Sequence, residues 1–146
     1  MRSRILHVIT IATFMSLHIA AAQDMSQPDK NISSKKVVGN LLNPQQGDYF
    51  HISVKSESGK EVSFFVDDEI CFLSSNKKEV LVIVYDETKR YFPEGVGYYP
   101  ANIIQSISTS VGQKSWKRNE NIAPKLKQWR QCANDLLSLA NNRRGQ

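Results

Sequence analysis

From residue 37 onward, apolar and polar residues alternate in short runs punctuated by turn residues, which is a strand pattern. Val37, Val38, Leu41 and Leu42 make a first run over 37–42, and the cluster 43–48, with Pro44 and Gly47, reads as a turn. Residues 49–54 follow with period two. Phe50, Ile52 and Val54 share one face, and Tyr49, His51 and Ser53 the other. Ser56-Glu57-Ser58-Gly59 reads as a hairpin turn. The return strand, 61–66, points Val62, Phe64 and Val66 inward. A short helix is expected within 67–78, with Asp67 or Asp68 as its cap and Lys77 and Lys78 at its C-terminus. Residues 80–85 are apolar at nearly every position, as in a strand covered on both faces. Residues 86–100, rich in Gly, Pro and Tyr, read as a long loop. Residues 101–109, with Ile103, Ile104 and Ile107, supply a fifth strand.

The period then changes. Ile122, Leu126, Trp129, Ala133, Leu136, Leu137 and Ala140 recur at helical spacings, and Pro124 suits a first turn. The expected fold class is mainly β: five strands, a short helix between the third and fourth, and a C-terminal α-helix packed on the sheet.

The first 36 residues follow neither period. Arg2 and Arg4 precede an apolar stretch, 5–19, and Ala20-Ala21-Ala22 supplies a small-residue cleavage pattern. This is the layout of a secretory signal peptide over 1–22, with an uncleaved anchor as the alternative. Residues 23–36 are polar and read as a flexible leader. Asn31-Ile32-Ser33 is a glycosylation triplet that matters only in a eukaryotic secretory route. The expected organisation is therefore signal 1–22, leader 23–36, barrel 37–112 and basic helical segment 113–146. No stable membrane span remains after cleavage.

Export changes the chemistry. The full chain has 146 residues and a formal charge of +5; removing Arg2 and Arg4 leaves +3. Two of three histidines leave as well, so His51 is the mature chain's only imidazole. Cys71 and Cys132 enter an oxidising compartment, and two cysteines allow a single internal pairing, so a Cys71–Cys132 disulfide is expected. Two cysteines and one histidine do not complete a zinc site. Asp67-Asp68-Glu69 lacks the surrounding pattern of a calcium loop. No metal or other cofactor is expected. His51 has no nucleophile or carboxylate tied to it by spacing, so no catalytic residue is assigned and the chain is read as a non-enzyme.

The order strand, strand, strand, helix, strand, strand is that of the OB-fold, a partly open barrel that binds oligonucleotides or oligosaccharides. The stretches 47–54, 59–65 and 82–85 resemble small exported bacterial OB-fold domains, over roughly 37–109. A signal peptide, an OB-sized barrel and one disulfide also resemble the cell-binding subunits of AB5-type toxins, which would imply a pentameric ring and a receptor as partner. The oligomeric state is left open.

On that frame, two groups are candidate ligand-binding residues. Tyr49, His51 and Phe65 share the outward face of strands two and three, and Tyr91, Tyr98 and Tyr99 cluster, with Phe92 beside them, between strands four and five. The rings between strands four and five either stack on sugars or bases or cap the barrel end, and the strand two–three face either holds the ligand or is a solvated face with one aromatic covering the open seam. A third candidate is a basic surface carried by Lys117, Arg118, Lys125 and Arg130, within a segment of net charge +6 beside a strand region of −4. It suits nucleic acid or another anionic surface, or the acidic barrel itself. The leading expectation is a binding module for an oligosaccharide or protein surface, with a toxin-type receptor-binding subunit and an anionic-surface binder as alternatives.

Overall fold

The computed structural model describes residues 33–119 and 122–144. The signal peptide and most of the leader expected from the sequence lie outside the described residues.

One antiparallel sheet, curled into a half-barrel, and two helices enclose a single core. The elements are β1 (Ser33–Gln46), β2 (Phe50–Ser56), β3 (Glu61–Phe65), α1 (Ile70–Ser75), β4 (Val80–Phe92), β5 (Gly97–Thr109), β6 (Ser115–Lys117) and α2 (Leu126–Arg144). The spatial order is β3-β2-β1-β4-β5-β6. Alternation sets the inner face: Phe50, Ile52 and Val54 on β2, Val62 and Phe64 on β3, and Leu81, Ile83 and Tyr85 on β4 are buried. α1 adds Ile70 and Leu73, and α2 adds Ala133 and Leu136.

Four expectations are corrected. First, the sheet has six strands, not five, and it is open: no ladder joins β3 to β5. A side chain bridges that seam, Asn102 Nδ2 donating to Ser63 O at 3.0 Å. Second, β1 is longer at both ends. It takes in residues 33–36, because β4 runs on beyond Tyr85 and pairs with them through Glu87↔Ser33. It also runs through Pro44, where the register shifts between Leu42 and Gln45; a bulge is where a strand tolerates proline. Third, residues 86–100 are not a loop. β4 and β5 pair as far as Phe92↔Gly97, so only residues 93–96 turn. Fourth, β4 is buried on one face only: Val80, Val82 and Val84 are half-buried.

The helices also differ in detail. Glu69, not Asp67 or Asp68, sits at the N-cap of α1 and makes no side-chain capping bond. α1 ends at Ser75, before the two lysines, and Lys77 instead binds Asp135 of α2 at 2.6 Å. α2 starts two residues after Pro124, so Ile122 (97% exposed) and Leu126 (65%) fall off the apolar stripe. The stripe from Trp129 to Leu139 faces the core. Three ties hold α2 in place. Cys71 and Cys132 form the expected disulfide. Asp135 accepts from Ser74 Oγ and Lys77 Nζ. Trp129 Nε1 donates to Asp67 O at 3.1 Å, with its ring edge-on to Phe50.

Candidate functional site

The strand register explains which aromatic rings meet. Because Arg90 pairs with Tyr99 and Tyr91 with Tyr98, the β4–β5 hairpin carries Arg90, Phe92 and Tyr99 on one face and Tyr91 and Tyr98 on the other. On β2 and β3, His51 pairs with Phe65. The curl of the sheet brings the first hairpin face against that pair.

Phe92 is the hub. Its ring centroid lies 4.7 Å from Phe65, 4.9 Å from Tyr49 and 6.0 Å from Tyr99. Phe92 is buried, whereas Tyr49, His51, Phe65 and Tyr99 are half-buried and reach solvent. The His51 imidazole lies 4.5 Å from the Phe65 ring. Four of the six ligand-binding candidates, Tyr49, His51, Phe65 and Tyr99, thus form one cluster. The other two, Tyr91 and Tyr98, form a separate T-shaped pair at 5.3 Å on the opposite hairpin face.

Polar contacts hold the cluster in shape. The Tyr49 hydroxyl donates to the Glu94 carboxylate, and the Tyr99 hydroxyl donates to Gly95 O at 2.9 Å. The first bond ties the 93–96 turn to the residue that precedes β2, and the second braces the turn within its own hairpin. A Cβ at Gly95 would sit 2.8 Å from the Tyr99 ring, so a larger residue there would have to push that ring aside. The hydrogen bond to Glu94, with a smaller contribution from burial, pushes the Tyr49 hydroxyl up to about 12, and the same bond lowers the Glu94 carboxyl. Arg90 pairs with Asp67 at 2.9 Å while its guanidinium lies 5.8 Å from the Tyr49 centroid and 5.7 Å from that of Phe92.

Beside the cluster, the β3–β5 seam opens as a shallow groove of about 270 Å³, lined by Ser63, Phe65, Pro100, Ala101 and Asn102. Ser63 Oγ lies 2.9 Å from Ser53 Oγ, so a hydroxyl pair and an amide border the exposed side of Phe65. Sequence reasoning grouped Phe92 with the tyrosines of 91–99 and missed Arg90, Glu94 and Asn102. Reading 86–100 as a hairpin centred on 93–96 would have put Arg90, Phe92 and Tyr99 on one face.

The four basic candidates are spread over separate elements. Lys117 is on β6, Lys125 precedes α2, and Arg130 is exposed on α2. Arg118 turns inward. Its Nε donates to Ile104 O at 2.7 Å, its guanidinium lies 5.7 Å from the Trp116 centroid, and Nη2 is 3.6 Å from the buried Glu69 carboxylate. Burial raises the Glu69 carboxyl to about 7, against the lowering pull of Arg118. Among the described residues, no group of three or more His, Cys, Asp or Glu is placed to hold a metal ion.

No family model, curated protein or solved structure matches the chain.

Proposed function

We propose that the chain is an exported, non-enzymatic binding module with an OB-like fold, and that it holds an oligosaccharide on the aromatic face of β2 and β3. The strand order β3-β2-β1-β4-β5, the helix between β3 and β4, and the Asn102–Ser63 bridge across the seam support the OB-like reading. The disulfide supports an oxidising compartment. No helix among the described residues is long and apolar enough to cross a membrane.

The observation that carries the reading is the grouping of half-buried rings with neutral hydrogen-bonding groups. A sugar ring presents an apolar face and a rim of hydroxyls. Phe65 offers a surface for the face, and Ser53, Ser63 and Asn102 offer partners for the rim. The hairpin turn, held by Tyr49 and Tyr99, walls one side, so little order is lost on binding. His51 serves as part of the ring surface against Phe65 rather than as a base.

A panel of immobilised oligosaccharides, probed with the purified chain, tests this. Phe65→Ala is expected to weaken the best binder at least tenfold, an effect of about 1.4 kcal/mol, while Tyr91→Ala, on the far hairpin face, leaves it unchanged. Equal affinity of Phe65→Ala and the parent overturns the assignment of the face.

A further inference from the structure

We infer a second, separate binding site: the free edge of the first half of β1 accepts an extended peptide as an added strand. β1 pairs with β4 from Ser33 to Asn40, but with β2 only from Gly39 onward. Residues 33–38 therefore have a partner on one side alone among the described residues. In a strand paired on one side, every second residue points its N–H and C=O to the other. Gly39 marks where β2 departs. A Cβ there would lie 2.0 Å from Lys55 O, so the two backbones are in close contact at the point where pairing stops. Beyond it β2 turns away through Ser56–Lys60, with Gly59 N donating to Ser56 O.

The space left beside the free edge is a cavity of about 450 Å³. Lys36, Val37 and Val38 form one wall, and Ser56, Glu57, Ser58 and Lys60 form the other. Val62 and Tyr85 complete the lining, and with Val37 they are core residues. Val37 and Val62, at 6% and 7% exposure, are the least covered of the buried residues in the main core cluster, so that cluster opens here. An unpaired strand edge next to an apolar recess matches strand addition, where main-chain bonds hold the peptide and alternate side chains enter pockets. Sequence chemistry follows from the rim. Lys36 and Lys60 have no ion-pair partner among the described residues, and Glu57 is the single acid in the lining. The preferred peptide alternates small apolar and acidic residues. The site shares no lining residue with the groove proposed for oligosaccharide, so the two stand or fall separately.

The test uses the full chain, isotope-labelled, with two blocked peptides as probes: Glu-Val-Glu-Val-Glu and Lys-Val-Lys-Val-Lys. The acidic peptide is expected to slow amide exchange at alternate residues within 33–38 at least tenfold. It should bind about tenfold more tightly than the basic one, as two exposed charge contacts allow. Methylating its valine amides should remove the effect. The double variant Lys36→Glu with Lys60→Glu, both exposed positions, should reverse the preference, and Phe65→Ala should leave it intact. No slowing at millimolar peptide overturns the inference. So does slowing already present without peptide. If independent of protein concentration, it means the chain's own residues cover the edge; if it grows with concentration, a second copy does.

Discussion

Glu69 is a carboxylate with no exposed surface. Oε2 accepts from Asp67 N at 3.2 Å, but Oε1 has no hydrogen-bond partner, since Arg118 Nη2 stands 3.6 Å away. Burial therefore outweighs the attraction and favours the neutral acid in the folded chain. The folded pKa is raised, so the stability linked to this group is complete below about 4.5 and is lost as pH rises through about 7. The span corresponds to about 3 kcal/mol. Glu69→Gln keeps an acceptor for Asp67 N without the charge. Urea unfolding of this variant should show a flatter stability curve between pH 4.5 and 7 than the parent; identical slopes would mean that Glu69 titrates at its ordinary value. A second residue stores strain of another kind. Val96, at the hairpin tip, has φ +46° and is 66% exposed. A β-branched residue pays for the left-handed region with roughly 1–3 kcal/mol, and glycine does not. Val96→Gly is expected to raise stability by about 1 kcal/mol after glycine's larger unfolded-state entropy is included, seen as a higher urea midpoint at unchanged slope. A lower midpoint would show that the valine side chain contributes contacts worth more than the strain.

At the scale of elements, the strands that obey strict alternation were legible end to end, and those with bulges only in part. β2 and β3 have the faces their period-two pattern predicts. β1 and β5 break the period. Leu41 and Pro44 are both buried three residues apart, and so are Ile104 and Ile107. Each pair spans a register shift: between Leu42 and Gln45 in β1, and opposite Val84/Tyr85 of β4 in β5. A spacing of three between inward residues is the trace a bulge leaves in sequence, and at 43–48 the proline and glycine disguised it as a turn. The second bulge serves α1: it frees Gln105 O to accept from Arg118 N, while Arg118 Nε takes Ile104 O, so the guanidinium reaches Glu69. The hairpin extension 86–100 was hidden for a different reason. Tyr, Lys, Arg and Pro at a solvent-facing extension give no apolar alternation, and the pairing is set by the tyrosine contacts and the clamped turn. The candidate site was half legible as a result. Tyr49, His51 and Phe65 came from alternation and Phe92 from the aromatic cluster at 91–99, whereas Arg90 and Asn102 needed the hairpin register.

Across the whole molecule, the half-barrel leaves the α1 end of its core to be covered by α2, and α2 has little claim to stability alone. It is mostly polar, with Lys127, Gln128, Arg130, Gln131 and Asn134 exposed, and its apolar stripe is short. A helix in a protein draws most of its stability from packing an apolar face rather than from propensity. Its docking therefore depends on tertiary ties, and these converge on α1: the disulfide, the Ser74–Asp135–Lys77 set, and Trp129 on Asp67 O. The same Asp67 pairs with Arg90, whose guanidinium lies against Tyr49 and Phe92, so the α2 anchor and the aromatic cluster share one residue. The disulfide joins cysteines 61 residues apart, a separation for which loop closure is worth about 4 kcal/mol in the chain-entropy model. Paired substitution, Cys71→Ala with Cys132→Ala, is expected to cost roughly that amount. Because the cysteines lie outside the aromatic cluster, the loss should show first as faster amide exchange along α2 and only then, near the unfolding midpoint, as loss of the cluster. Hydrogen exchange resolved by residue checks the order. Simultaneous loss in both places would mean that the Asp67 link makes α2 and the ring cluster one cooperative unit.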